Sequence, residues 1–198
     1  MKMMRRMMEI RAAETDDESE MIVEGYAAVF NSKTTIWESS WSGYKYTEQI
    51  AEGAFDGAEM SRTVLKYNHR DNGLVLARVS NNTLSLSTDS KGLKVRAEIA
   101  PTTAGRDLYT LIKRGDLDKM SFAFTVAEST SKDIKDEKEY LTTIDRFKEI
   151  FDVSVVDFPA YDDTSIAARS DGETEYYRRL DERRIQEQRQ RLRLMSMC

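Results

Sequence analysis

One histidine and one strand-borne serine are the residues of this 198-residue chain whose types suit covalent chemistry. His69 is the single histidine, so any mechanism that needs imidazole must use it and any site that needs two histidines is excluded. Ser121 lies in Met120-Ser-Phe-Ala-Phe124, where Met120, Phe122, Phe124 and Val126 alternate with Ser121, Ala123 and Thr125. That period of two places large apolar groups on one strand face and small or polar groups, Ser121 among them, on the other. A serine hydroxyl is a weak nucleophile without a positioned base, and His69 is the imidazole that could serve. The separation of the two in sequence carries no information, because such sites assemble from different elements and in several chain orders. From residue chemistry alone, a turn histidine bonded to backbone and a small serine packed beneath a neighbour account for both.

Other signatures are missing. The sequence has no G-x-S-x-G elbow, no phosphate-binding P-loop and no G-x-G-x-x-G, so no nucleotide cofactor is expected. Cys198 is the lone cysteine, which removes a disulfide framework, a Cys-rich zinc site and a Cys–His nucleophile. Paired acids such as Asp16-Asp17 and Asp162-Asp163 lie in polar stretches and read as solvated charge; no metal is expected. A net charge of −5 disfavours general nucleic-acid binding. Trp37, Trp41, Tyr44 and Tyr46 form an aromatic group that reads as core or interface filling ahead of a ligand platform.

The elements that would position these residues are mostly strands. Met21–Phe30 reads as a strand with a bulge at Gly25, and Ile50–Phe55 leads into a short helix. Val64–Tyr67 is a brief strand closed by the turn Asn68–Gly73, which sets His69 at a strand end; Leu74–Val79 follows as another strand. Leu84 and Leu86, then Leu93, Val95, Ala97 and Ile99, alternate with polar residues around the turn Asp89–Gly92, a hairpin. Thr102 or Thr103 caps a helix with Leu108, Leu111 and Ile112 on one face and Gly115 beyond its end. Residues 128–139 hold acids and lysines with Ile134 as the one large apolar residue, and read as a mobile surface loop. Tyr140–Phe147 and Ile150–Phe158 read as the last two strands, ended by Pro159.

The ends differ from this body. Met1–Glu9 carries Arg5 and Arg6, so it lacks the apolar run of a signal peptide, and no stretch is long enough for a membrane helix. The expected organisation is a flexible segment 1–19, a main folded domain 20–170 and a charged helical appendage 171–198. From Glu173 on, seven arginines face five acids without Gly or Pro, the pattern of a solvated helix or a partner-binding one.

Taken in order, Ile22-Val-Glu-Gly-Tyr-Ala-Ala-Val-Phe-Asn31, Glu52-Gly-Ala-Phe55, Lys66-Tyr-Asn-His69, Leu76-Ala-Arg78, Gly92-Leu93, Arg114-Gly-Asp116, Met120-Ser-Phe-Ala-Phe124 and Val153-Ser-Val-Val-Asp-Phe-Pro-Ala-Tyr161 resemble the prohead maturation proteases of tailed bacteriophages. The resemblance spans about residues 20–169. It implies an α+β, mainly β fold like the herpesvirus assemblins: a closed or nearly closed antiparallel β-barrel with flanking helices, here with the C-terminal helical appendage. It implies a serine endopeptidase that cuts scaffolding segments from the major capsid protein, and cuts itself, inside the procapsid in the host bacterial cytoplasm. By the same resemblance Ser121 is the nucleophile and His69 the general base. Assemblins use a second histidine as third member, which this chain lacks, so an acid orients His69 or the site works as a dyad. Asp152 stands where relatives carry Glu and is the first choice, with Glu149 and Asp157 as rivals. Arg70 follows His69 where relatives often have Asp. Arg114 and Arg78 are candidate contributors to an oxyanion site. The resemblance also implies a homodimer. The C-terminal appendage is expected to hold the enzyme to the capsid protein or scaffold and to be shed by self-cleavage. Two other classes stay open: a procapsid scaffold that kept the fold without the activity, and a small β-barrel binding module using the aromatic group.

Overall fold

A computed structural model of the chain describes residues 4–13, 20–70, 73–157 and 171–195. Its contacts divide it into two units. The first comprises Met1–Ser32, Ile50–Ser129 and Ile144–Pro159; the second comprises Lys33–Gln49, Thr130–Thr143 and Ala160–Cys198.

The first unit is a sheet built from β1 (Met4–Ala12), β2 (Ile22–Val29), β5 (Val64–Tyr67), β6 (Ala77–Arg78), β7 (Leu84–Thr88), β8 (Gly92–Glu98) and the buried parts of β9 (Lys119–Ile134) and β10 (Glu139–Val156). Hydrogen bonding runs in the order β6-β5-β10-β9-β1-β2-β8-β7. The expected closed barrel is not formed, since no ladder joins β6 to β7. The local reason is visible in the chain. β6 is two residues long and passes at once into a 3-10 turn, Val79–Asn81, ended by Asn82 in the left-handed region. The Arg78 amide donates to the side chain of Thr83 at 2.9 Å in place of a strand partner. Nor is the sheet wholly antiparallel, because β5 runs parallel to β10, pairing Asp152 with Val64 and Ser154 with Lys66.

β1 corrects the reading of the N-terminus as a flexible segment. Met4–Glu9 pairs with β9 and Ile10–Ala12 with β2, while Ile10 is buried. Its Met and Arg composition has weak strand character, and the two neighbouring edges supply the backbone partners that composition does not announce. Gly25 pairs regularly with Ile10 and Val95, and the irregularity expected there falls between Tyr26 and Ala28 instead. Glycine is required at 25 for a different reason: a Cβ would overlap the Glu9 carbonyl oxygen. Gly25→Ala is therefore expected to cost about 3 kcal/mol through forced separation of β1 from β2, read as a lower urea midpoint at unchanged slope.

Several local readings also change. The Ile50–Phe55 region is a series of tight turns, not a helix, with Ala54 N to Ala51 O and Asp56 N to Gly53 O bonds. The strand expected at 74–79 shrinks to β6. The loop expected at 128–139 is the outer part of a long hairpin, in which β9 reaches Ile134 and β10 starts at Glu139 after one 3-10 turn. Residues 127–133 are exposed on both faces, so no apolar alternation marks them as strand; cross-strand pairs such as Ser131 with Thr142 and Glu128 with Arg146 support them. The two final strands are one, β10. Pro159 lies outside the described residues.

The core of this unit gathers Met120, Phe122 and Phe124 of β9, Val153 and Val155 of β10, Leu65 of β5, and Phe55 with Phe147, whose rings stack at 4.5 Å. The helix α1 (Thr103–Arg114) covers part of it with Leu108 and Ile112. Thr102 caps its start by accepting from Gly105 N, and Gly115 ends it at φ +81°.

The second unit contains β3 (Thr34–Glu38), most of β4 (Lys45–Ile50), the hairpin tip and α2 (Asp171–Met195). The helix forms, but it is not a pendant appendage. Tyr177 is buried with Ile36, Tyr44 and Tyr46, and Asp181 is buried while accepting from Ser39 Oγ at 2.6 Å, Ser42 Oγ at 2.9 Å and Tyr46 OH at 3.3 Å. Arg184 lies 3.6 Å over the Tyr44 ring and binds both oxygens of Asp133. A helix rich in charge can thus pack by a few buried polar anchors, which its charged composition conceals. Of the aromatic group, Tyr44 and Tyr46 are core and Trp37 packs on Tyr46 at 5.3 Å, whereas Trp41 is 80% exposed. Asp181→Ala strands three hydroxyls and is expected to cost about 2–4 kcal/mol in thermal or urea unfolding. Tyr46, pushed up to about 12 by burial first and by the Asp181 charge second, should then titrate at lower pH, as followed by ultraviolet absorbance.

Candidate active site

Three neighbouring strands of the first unit carry the candidate residues: His69 just beyond β5, Asp152 and Ser154 on β10, and Ser121 on β9. Strand alternation fixes their common side. Met120, Phe122, Phe124, Val153 and Val155 all enter the phenylalanine core, so Ser121, Asp152 and Ser154 project to the opposite sheet face.

The histidine is brought to that face by an unusual backbone. Asn68 and His69 both have φ +53°, a left-handed conformation uncommon outside glycine and best tolerated by Asn, Asp and His. Asn68 N still bonds Val155 O at 2.9 Å, and Asn68 Oδ1 accepts from Asp157 N at 3.2 Å, so the turn is tied to β10 on both sides.

His69 Nδ1 lies 2.6 Å from Asp152 Oδ1 in a buried pair. Burial is the largest influence on Asp152 and acts to raise its pKa. The His69 hydrogen bond and charge, followed by the Ser154 hydrogen bond and the charge of Lys66, together outweigh it and hold the carboxyl below the ordinary aspartate range. An ionised carboxylate only accepts, so Nδ1 carries a proton and donates to it, and in the neutral form of the ring, the form that acts as base, Nε2 is the acceptor. Nε2 is buried without a hydrogen-bond partner among the described residues. An unfilled acceptor in such a place calls for a reason, and a proton abstracted during reaction supplies one.

Ser121 is 3% exposed and His69 7%, so both sit beneath the surface. No hydrogen bond joins Ser121 to Nε2; such bonds often tighten only when substrate is bound. Of the other carboxylates considered, Asp157 is exposed and accepts from Tyr67 OH at 3.3 Å, and Glu149 is half-buried at an isolated bridge to Glu59. Arg114 is exposed and pairs with Asp116, and Arg78 is exposed at the end of β6. Ser154 was the residue that sequence reading passed over; its signal was the i, i+2 spacing from Asp152, which sets both on one strand face. Among the described residues no group of three His, Cys, Asp or Glu side chains could hold a metal ion.

The family model for caudovirus prohead serine proteases matches residues 6–178. The chain belongs to that family. The match begins in β1 and ends in the first turns of α2, so the prohead protease family pattern takes in the strands that carry His69, Ser121 and Asp152. No curated protein and no solved structure matched the chain.

Proposed function

We propose that this prohead protease family member is a serine endopeptidase that cleaves scaffolding segments of the phage capsid protein, and itself, inside the procapsid. The observation that carries the reading is the buried His69–Asp152 hydrogen bond, which leaves Nε2 unpartnered among the described residues, while strand alternation sets Ser121 on the face that bears Asp152.

In this mechanism Ser121 Oγ attacks the scissile carbonyl while its proton passes to His69 Nε2. Asp152, holding Nδ1, stabilises the imidazolium that forms and keeps the ring oriented. The imidazolium then gives its proton to the leaving amine, and water, activated by the same Nε2, hydrolyses the Ser121 ester. Because β9 is flanked by β1 and β10, a substrate cannot pair with β9 over residues 119–124 while β1 is in place; it must approach from a sheet face or displace β1.

The test is coexpression of the chain, as wild type and as Ser121→Ala, with the capsid protein encoded beside it, followed by intact mass. Trimming of the capsid protein or of the chain itself by wild type alone supports the reading. Unchanged masses in both, with the chain still entering particles, would make it a scaffold protein instead.

A further inference from the structure

We infer that Ser154 is a positioning residue that locks the His69–Asp152 pair in its working geometry, an inference that rests on the site reading just given. Its hydroxyl donates to Asp152 Oδ1 at 2.7 Å, the same oxygen that His69 Nδ1 holds at 2.6 Å, and accepts from the His69 backbone amide at 3.3 Å. One hydroxyl therefore touches the side chain of the acid and the main chain of the base.

Ser154 has 0% exposure between Val153 and Val155, in a strand segment otherwise made for apolar packing. A buried hydroxyl is costly unless it is hydrogen-bonded, and among the described residues the bonds of Ser154 Oγ go to the pair. The parallel β5–β10 register explains how it reaches both. Asp152 lies opposite Val64 and Ser154 opposite Lys66, so the two project on one face as β5 runs out toward His69.

The left-handed backbone at 68 and 69 makes the amide bond more than incidental. Such a conformation persists where its surroundings over-determine it, and among the described residues the His69 amide is held by one side chain, Ser154 Oγ. Without the hydroxyl, the carboxylate loses its second donor on Oδ1 and the His69 peptide loses its anchor. The ring is then free to swing away from Asp152, and Nε2 is no longer held in one place.

The single histidine makes this measurable, because protein labelled with ¹⁵N-histidine gives imidazole signals from His69 alone. In the full-length wild type the Nδ1 proton should appear as one far-downfield resonance, protected from exchange with water. In Ser154→Ala that resonance should broaden or vanish while thermal unfolding stays cooperative. The rate at which a fluorophosphonate probe modifies Ser121 should fall about tenfold, the loss of one positioning hydrogen bond. If the alanine variant fails to fold, Ser154→Cys keeps the shape with a weak donor and should show the same two changes. A resonance in Ser154→Ala as sharp and protected as in wild type would overturn the inference. Absence of probe reaction in wild type would instead overturn the protease reading, and the histidine resonance would still judge the hold of Ser154 on the pair.

Discussion

Ser121→Ala should abolish peptide-bond cleavage, lowering the rate about a million-fold while leaving the fold intact. The magnitude follows from the role: removal of a nucleophile that acts as a unit with its base costs the whole covalent route. The fold should survive because Ser121 contributes little more than its small volume to the opposite side of a strand whose packing is carried by Met120, Phe122 and Phe124. The change in unfolding free energy should stay within about 1 kcal/mol. Single-turnover cleavage by purified protein, with urea unfolding alongside, separates the two. Loss of cleavage together with a large loss of stability would show only that the strand had been damaged.

Asp152→Asn should lower cleavage about 10³- to 10⁴-fold, with the hydrogen-bonding shape of the side chain preserved and its charge removed. The buried imidazolium formed in the transition state would lose its counter-charge. The amide could also present N–H to Nδ1 and drive the ring proton to Nε2, where it blocks the base. The same substitution should change how stability depends on pH. The Asp152 pKa is depressed in the folded state, so its contribution is fully present above the unfolded aspartate value, about pH 4, and is lost as pH falls through the lower folded value. Wild type should therefore lose stability on acidification below about pH 4, and Asp152→Asn should show a flatter profile there. A profile unchanged by the substitution would mean that the carboxylate is not held below its ordinary range.

What could be read from the sequence follows a physical line. α1 was legible because its apolar positions repeat at helical spacing between a threonine cap and Gly115, and the β7–β8 hairpin because alternation meets a turn in which Asp89 accepts from Lys91 and Gly92. The buried half of β9 showed the same alternation. β1 escaped because Met and Arg favour no strand, and its pairing comes from two edges distant in sequence. The hairpin tip escaped because a strand exposed on both faces has no pattern to betray it. The open sheet turned on the shortness of β6, set by a turn whose strength lies in Asn82 and Thr83 rather than in hydrophobic rhythm. At the site, the motifs drew attention to His69, Ser121 and Asp152, but nothing in the spacing could reveal that His69 takes a left-handed backbone, or that a serine among valines binds both members of the pair.

The most direct test of the account is to treat the purified full-length chain with a fluorophosphonate and locate the adduct by peptide mass. One adduct is expected, on Ser121, formed by wild type and suppressed by His69→Ala. An adduct on another serine, or labelling of Ser121 at the same rate without His69, would contradict it.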